Sequence, residues 1–237
     1  AIANEVDGIA MTVWDDDAFD EIVCKAMEAG IPVVLHNIDD SQRGKGNCRM
    51  AYVGQFFIET GETLGERMIA EHGLKAGDHV FTPVEFPEAV YAVQRHEGVN
   101  NAITANGGTT EILGTGTDHS EALNIMVQYL LGHPETKAVI GLGSTPTSVA
   151  VRAVEEAGLD IPVGGYDITP EILDNIANGS LTATVDQQPY HQGYMSVTMV
   201  AQYLKYGLLP ADMNTGGSGL VDKSNVESAF KWAGITR

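Results

Sequence analysis

Basic residues are scarce in this sequence. The 237 residues include 13 Lys and Arg against 32 Asp and Glu, a formal net charge of −19. Nucleic-acid binding needs clustered cations to contact phosphates, so we predict no nucleic-acid partner. The same deficit disfavours docking on anionic lipid. The acidic excess is typical of a surface that resists association, and an acidic face that binds a partner is the less favoured alternative.

Cysteine is scarcer still. The two cysteines, Cys24 and Cys48, are too few for a disulfide framework. Cys24 falls in a predicted helix over residues 17–29, and Cys48 in a polar loop over residues 39–49. The sequence leaves two interpretations open: Cys24 is a small buried hydrophobic residue, or it forms a bridge with Cys48. No set of His and Cys residues has the spacing of zinc ligands, and we predict neither a metal site nor a cofactor.

Signatures of catalysis and of membrane spans are also missing. No apolar run approaches the roughly 20 residues that cross a bilayer. The sequence has no G-x-S-x-G elbow and no P-loop, and residues 141–143 (GLG) do not continue as a dinucleotide fingerprint. The seven His are scattered, and a catalytic role for His36 is less favoured than a structural or ligand contact. We therefore predict a protein that is not an enzyme.

One pattern does recur along the chain. An apolar run ends in a small polar residue, a helical pattern follows, and a Gly leads into the next run, as in residues 31–37, 137–144 and 161–167. Strands that alternate with helices predict an α/β fold with parallel sheets covered on both faces. Ligands of such sheets bind beyond the carboxyl ends of the strands. Asn37, Ser144 and Asp167 end these three runs and are therefore candidate ligand residues.

The longest predicted helix of the middle region covers residues 88–105. Its apolar spacing predicts that Ala89, Val93, His96 and Ile103 face inward. Residues 1–5 have the pattern of a helix end, and residues 7–13 that of a strand.

Several segments together resemble the type I periplasmic sugar-binding proteins of ABC transporters, the relatives of the ribose- and galactose-binding proteins. The matching segments are residues 6–10 (VDGIA) with 16–19 (DDAF), 29–34 (AGIPVV), 52–54 (YVG), 95–98 (RHEG), 133–135 (HPE) with 138–140 (AVI), 163–167 (VGGYD) and 183–189 (ATVDQQP). They follow the order and spacing of the family over almost the whole chain.

The resemblance implies two doubly wound α/β lobes that close on a sugar. Three crossovers would lie near Gln55, near Gln187 and over residues 216–220. The first lobe would comprise residues 1–55 plus 188–215, and the second residues 56–187 plus 216–237. Family members begin with two further strand–helix units, so the first lobe is expected to be incomplete.

The resemblance also assigns ligand residues. Asp167, Arg95 and Gln187 match an aspartate, an arginine and a crossover residue that contact the sugar in relatives. The alternatives are an N-cap of the following helix for Asp167, a surface arginine for Arg95, and a hinge residue that satisfies backbone groups for Gln187.

Four further candidates complete the predicted site. Asn37 stands where many relatives carry an aspartate, and Ser144 belongs to a turn, with Gly143, where relatives show Asn-Asp. Ser144 serves equally well as a helix N-cap. The aromatic candidates are Trp14, after the first strand, and Phe86. For both, packing in a core or a lid is the alternative.

The function implied is capture of a monosaccharide or related polyol for an ABC importer, without chemistry. The implied partners are the sugar and the membrane permease, and the implied location is periplasmic (or extracellular and lipid-anchored), with a signal sequence outside this chain. Unfilled sheet edges make a homodimer a further expectation. The alternative function is the ligand-sensing domain of a lac-repressor-like transcription regulator.

Overall fold

A computed structural model describes residues 1–216 and 219–237. The chain divides into two compact units. Unit 1 comprises Ala1–Phe56, Gln187–Gly217 and Ile235–Arg237, and unit 2 comprises Phe57–Asp186 and Ser218–Gly234. The chain thus passes from one unit to the other at residues 56–57 and 186–187. The third predicted crossover, over residues 216–220, includes residues 217–218, which lie outside the described residues.

Unit 1 is built on a four-stranded parallel sheet. Its elements are a 3₁₀ turn (Ile2–Asn4), β1 (Ile9–Met11), α1 (Asp16–Glu28), β2 (Val33–Asn37), β3 (Ala51–Gly54), α7 (Pro189–Tyr206) and β9 (Met213–Asn214). The strand order is β1-β2-β3-β9, and every pair is parallel.

Both faces of this sheet are covered by helices. Val33 and Leu35 of β2 pack with Val23 and Ala26 of α1 on one face. Val34, which lies between them in the strand, packs on the other face with Val200 of α7. Since side chains alternate across a strand, a continuous apolar run is the pattern of a strand buried on both sides.

Unit 2 contains a six-stranded sheet. Its elements are α2 (Phe57–His72), β4 (His79–Val84), α3 (Val90–Ala105), β5 (Thr109–Gly114), α4 (His119–Gly132), β6 (Thr136–Ile140), α5 (Ser144–Glu156), β7 (Val163–Tyr166), α6 (Pro170–Asn178), β8 (Ala183–Val185), β10 (Leu220–Asp222) and α8 (Val226–Trp232). The strand order is β10-β8-β7-β6-β4-β5, and only β10 among the described strands runs antiparallel to its neighbour.

Two hydrophobic cores lie on the two faces of this sheet. Phe81 and Val139 pack against α4, α5 and α6. Val80 and Ala138, their neighbours along the same strands, pack against α2 and α3. The predicted fold class, α/β with two doubly wound parallel-sheet lobes, is therefore confirmed, and β10 is the one antiparallel strand among those described.

Close packing of α2 against α3 fixes the position of α3. A Cβ atom added to Gly61 would lie 2.6 Å from the backbone oxygen of Arg95, and one added to Gly98 would overlap the backbone oxygen of Ile58. The two glycines therefore let the backbones of α2 and α3 approach each other directly, at the turn of α3 that carries Arg95.

Cys24 and Cys48 form a disulfide, with their Cα atoms 5.0 Å apart. The bridge ties α1 to the loop between β2 and β3. Of the two interpretations left open by the sequence, the bridged one is correct, and Cys24 is only partly buried. The bridge closes a separation of 24 residues within unit 1.

No helix in the described part of the chain has the length and apolar character that crossing a bilayer requires.

Candidate functional site

Polar residues follow the carboxyl ends of the strands in both units. In unit 2, Glu85 follows β4 and Asp167 follows β7, while in unit 1 β2 itself ends at Asn37. Each unit therefore presents polar groups at the sheet edge where doubly wound folds bind ligands.

Arg95 is a buried cation in unit 2. Only 3% of the residue is exposed, and its Nη1 donates a hydrogen bond of 2.8 Å to the backbone oxygen of Leu142. The guanidinium carbon lies 4.2 Å from the centre of the Tyr166 ring and 5.1 Å from those of Phe57 and Tyr91. Such close ring contacts stabilise a desolvated guanidinium. The alternative of an exposed surface arginine is wrong.

Asp167 has a left-handed backbone, with φ of 75°. Its amide donates to the oxygen of Val185 (2.9 Å), and its own backbone oxygen accepts from the hydroxyl of Thr184 (2.7 Å). The N-cap of α6 is Thr169, whose hydroxyl accepts from the amide of Ile172. The alternative that Asp167 caps this helix is therefore wrong.

Glu85 is a buried carboxylate that was not among the residues predicted from the sequence. It is 8% exposed, its Oε1 accepts from the backbone amide of Thr145 (2.9 Å), and its Oε2 accepts from the hydroxyl of Tyr91 (3.1 Å). A glutamate at a strand end carries no distinctive sequence pattern. The available signal was its position, directly after the apolar run of β4.

The hydroxyl of Tyr91 links these groups. Burial, followed by the negative charge of Glu85, raises the pKa of Tyr91, and the carboxylate of Asp167 acts in the same direction. Arg95 opposes this shift. Glu85, Asp167 and Arg95 therefore all act electrostatically on one phenol. The pKa of Tyr166, whose ring also contacts the guanidinium, is likewise raised by burial.

Ser144 and Phe86 have less defined places in unit 2. Ser144 is the first residue of α5 and is partly buried, while Gly143 occupies the N-cap position. The N-cap interpretation of Ser144 is therefore wrong. Phe86 is 47% exposed in the loop after β4. Whether either residue contacts a ligand stays a prediction.

In unit 1, amide groups form a connected network. The Nδ2 of Asn37 donates to the Oε1 atoms of Gln187 (3.1 Å) and Gln192 (3.3 Å). The Nε2 of Gln192 donates to the backbone oxygen of Gln187 (2.7 Å) and to the hydroxyl of Thr215 (3.1 Å). The structure therefore brings together Asn37 and Gln187, two of the predicted residues, and adds Gln192, which was not predicted from the sequence.

The turn at Asn37 is held by a hydrogen bond to its backbone. Asn37 has φ of 66°, and its backbone oxygen accepts a hydrogen bond of 2.7 Å from the hydroxyl of Tyr52. A left-handed conformation is tolerated by Asn, so the residue type suits this turn.

Trp14, the aromatic candidate of this unit, is 59% exposed and packs edge-on against Phe19, with ring centres 4.5 Å apart.

The chemistry of these groups is recognition of hydroxyls. In unit 2 the carboxylates accept and the guanidinium donates, and in unit 1 the amides do both, so the polar groups of each unit can form hydrogen bonds with hydroxyl groups. Among the residues that the structure describes, no group of three or more His, Cys, Asp or Glu side chains is arranged to hold a metal ion.

Comparison with known sequences gives a match over residues 1–208 to a protein family described as a periplasmic binding protein domain. The chain is similar to a xylose/arabinose-binding protein of Sulfolobus acidocaldarius (28% identity over 96% of the chain) and to a D-ribose/D-allose-binding protein of Pseudomonas aeruginosa (29% over 86%). It spans 59% and 65% of the lengths of these two relatives.

Among solved structures, the fold is similar to that of a carbohydrate transporter of Acidothermus cellulolyticus in complex with myo-inositol. The TM-score is 0.85 and the identity 29%, over 98% of this chain and 79% of the other. These relatives are named for sugar binding and carbohydrate transport. Their names favour the predicted capture of a sugar for an ABC importer. They give no support to the alternative, the ligand-sensing domain of a transcription regulator.

Proposed function

Because the chain belongs to the periplasmic binding protein domain family, we propose that it captures a monosaccharide or related polyol for an ABC importer. The observation that carries the proposal is the buried Arg95 guanidinium held among three aromatic rings. The Glu85 carboxylate accepts a hydrogen bond from one of these residues, Tyr91, and Asp167 directly follows another, Tyr166. A fixed donor beside fixed acceptors matches adjacent hydroxyls of one sugar ring.

The proposed mechanism involves binding only, with no bond made or broken. Asn37 and Gln187 in unit 1 supply amide donors and acceptors, and Arg95 and Asp167 in unit 2 supply charged ones. In this mechanism the units move as hinged bodies, and the ligand-bound state is favoured because the sugar contacts residues of both.

The proposed partners are the sugar and the membrane permease of the importer, and the proposed location is the periplasm or the outer surface of the cell. The Cys24–Cys48 disulfide supports this location, because disulfides persist in oxidising compartments. A homodimer stays a prediction, which light scattering on the purified protein checks.

A sugar panel tests the proposal. Thermal shift with xylose, arabinose, D-ribose, D-allose and myo-inositol, followed by calorimetry on those that raise the melting temperature, should identify at least one ligand. Saturating ligand at about 100 times its dissociation constant should add about 2.7 kcal/mol to the free energy of unfolding. A panel extended to other pentoses, hexoses and polyols without any binding contradicts the proposal.

A further inference from the structure

Glu85 occupies space that a side chain at position 143 would otherwise fill. A Cβ atom added to Gly143 would overlap the Glu85 carboxylate, with its Oε1 2.6 Å away. Gly143 follows β6, the strand next to β4, and precedes α5. The carboxylate at this sheet edge therefore comes from the end of β4 and lies over the turn after β6.

The position of this carboxylate is fixed on two sides. The backbone amide of Thr145 holds Oε1 at 2.9 Å, and the Tyr91 hydroxyl holds Oε2 at 3.1 Å. Tyr91 is in turn stacked on the Arg95 guanidinium, 5.1 Å from the ring centre. Each carboxylate oxygen has a second lone pair, so both can accept one more hydrogen bond without losing those already made.

We propose that Glu85 contacts the sugar and determines its specificity by requiring a hydroxyl that donates a hydrogen bond. This inference rests on the proposed function. A carboxylate can only accept hydrogen bonds. If the sugar atom facing Glu85 is a ring oxygen, a methyl ether or a deoxy carbon, the sugar offers the carboxylate no donor. An amide would be more permissive, because it offers a donor as well as an acceptor.

The test is a double-mutant cycle between the protein and the ligand. Whichever of xylose, arabinose, D-ribose, D-allose or myo-inositol binds most tightly is compared with its monodeoxy and mono-O-methyl derivatives, on the wild type and on Glu85→Gln. A hydrogen bond to a charged group predicts a loss of roughly 10- to 100-fold in wild-type affinity for the derivatives altered at one ring position. In Glu85→Gln the loss of affinity relative to the parent sugar should be smaller for the derivatives altered at that same ring position, and unchanged for the others.

Controls separate contact from structural support. Glu97→Gln makes the same charge change at an exposed residue of α3 and should leave the whole affinity profile unchanged. If Glu85→Gln is poorly folded by circular dichroism, Glu85→Asp retains the charge but withdraws it by one methylene. It should likewise reduce the penalty at that one position.

Two results overturn the inference. An equal loss of affinity for the parent sugar and all derivatives means that Glu85 acts by supporting Tyr91 and α5. Unchanged affinities mean that it has no part in binding. In either case the wild type still binds sugar, so the proposed function survives. Absence of binding by the wild type across the panel would instead overturn the proposed function, and this inference with it.

Discussion

The guanidinium carbon of Arg95 lies 4.2 Å from the centre of the Tyr166 ring, the closest of its three aromatic contacts. Tyr166 is the last residue of β7, and Asp167 follows it directly. A buried cation and the candidate ligand carboxylate are thus positioned by adjacent residues of one strand end.

Arg95→Lys should weaken sugar binding by at least about tenfold. Lysine retains the charge but loses the planar fork that donates several hydrogen bonds and stacks on aromatic rings. Loss of the ring contact and of the bond to the Leu142 oxygen should also lower the free energy of unfolding by roughly 2 kcal/mol. Calorimetry and urea unfolding measure the two effects. Arg152→Lys, at an exposed pair with Glu156, is the control and should change neither.

Asn37→Asp should lower the free energy of unfolding by roughly 1–3 kcal/mol, because it removes an amide donor shared by two glutamines and places a carboxylate against their oxygens. Asp tolerates the left-handed backbone of this turn, so strain does not confuse the result. Urea unfolding followed by fluorescence provides the measurement. Asn124 is an exposed residue in the middle of α4, away from the helix ends, so Asn124→Asp should be close to neutral. An equal decrease in the free energy of unfolding in both variants would show that the amide network makes no specific contribution to stability.

Removal of the disulfide should destabilise unit 1. A bridge that closes a loop of this length restricts the unfolded chain and contributes about 3 kcal/mol. Cys24→Ser/Cys48→Ser should therefore unfold at lower denaturant than the oxidised wild type, and added reductant should bring the wild type towards the double variant. If reductant lowers the stability of the double variant as well, the effect does not come from this bridge.

His96 should make stability depend on pH. Its Nδ1 lies 3.0 Å from the hydroxyl of Thr82, which itself donates to the backbone oxygen of Glu111, so Nδ1–H is the donor of this pair. Burial lowers the pKa of His96 below its ordinary value of 6.5. The unfolded chain then binds the proton more readily, so the contribution is complete above about pH 6.5 and is lost as the pH falls through the folded-state pKa.

The measurement for His96 is the melting temperature between pH 8 and pH 5. His96→Asn offers an amide donor in place of Nδ1–H but does not titrate in this range. The melting temperature of the variant should fall less on acidification than that of the wild type. Parallel pH profiles for the two proteins would contradict the assignment.

The order of strands and helices could be predicted because the spacing of apolar residues differs between the two kinds of element. Residues 137–142 and the helix at residues 170–178 are examples, the latter with Pro at its first position, Thr169 before it and Gly179 after it. Side-chain burial was less predictable. Val93 was expected to face inward but is 50% exposed, because α3 contacts α2 through Gly98 and presents a different face to the core. The helix end expected over residues 1–5 is a single 3₁₀ turn.

The candidate site was predictable where a residue ends a strand, and less so elsewhere. Asn37 and Asp167 were visible in this way. Gln192 lies inside a helix, and its role depends on a distant contact with Asn37. Glu85 also follows a strand directly, but its contact with the amide of Thr145 depends on the fold and has no local pattern. The burial of Arg95 likewise depends on rings from α2, α3 and β7, which no local pattern brings together.

Calorimetric titration of one sugar into the wild type, Asp167→Asn and Gln187→Ala tests the central claim most directly. Asn tolerates the left-handed backbone at position 167 but removes the charge and replaces one acceptor oxygen by a donor, while Gln187→Ala removes an amide of the other unit. We predict that each substitution lowers the affinity for the same sugar by at least about tenfold, with folding retained by circular dichroism. Full affinity in both variants, with a ligand that the wild type binds, would contradict the account.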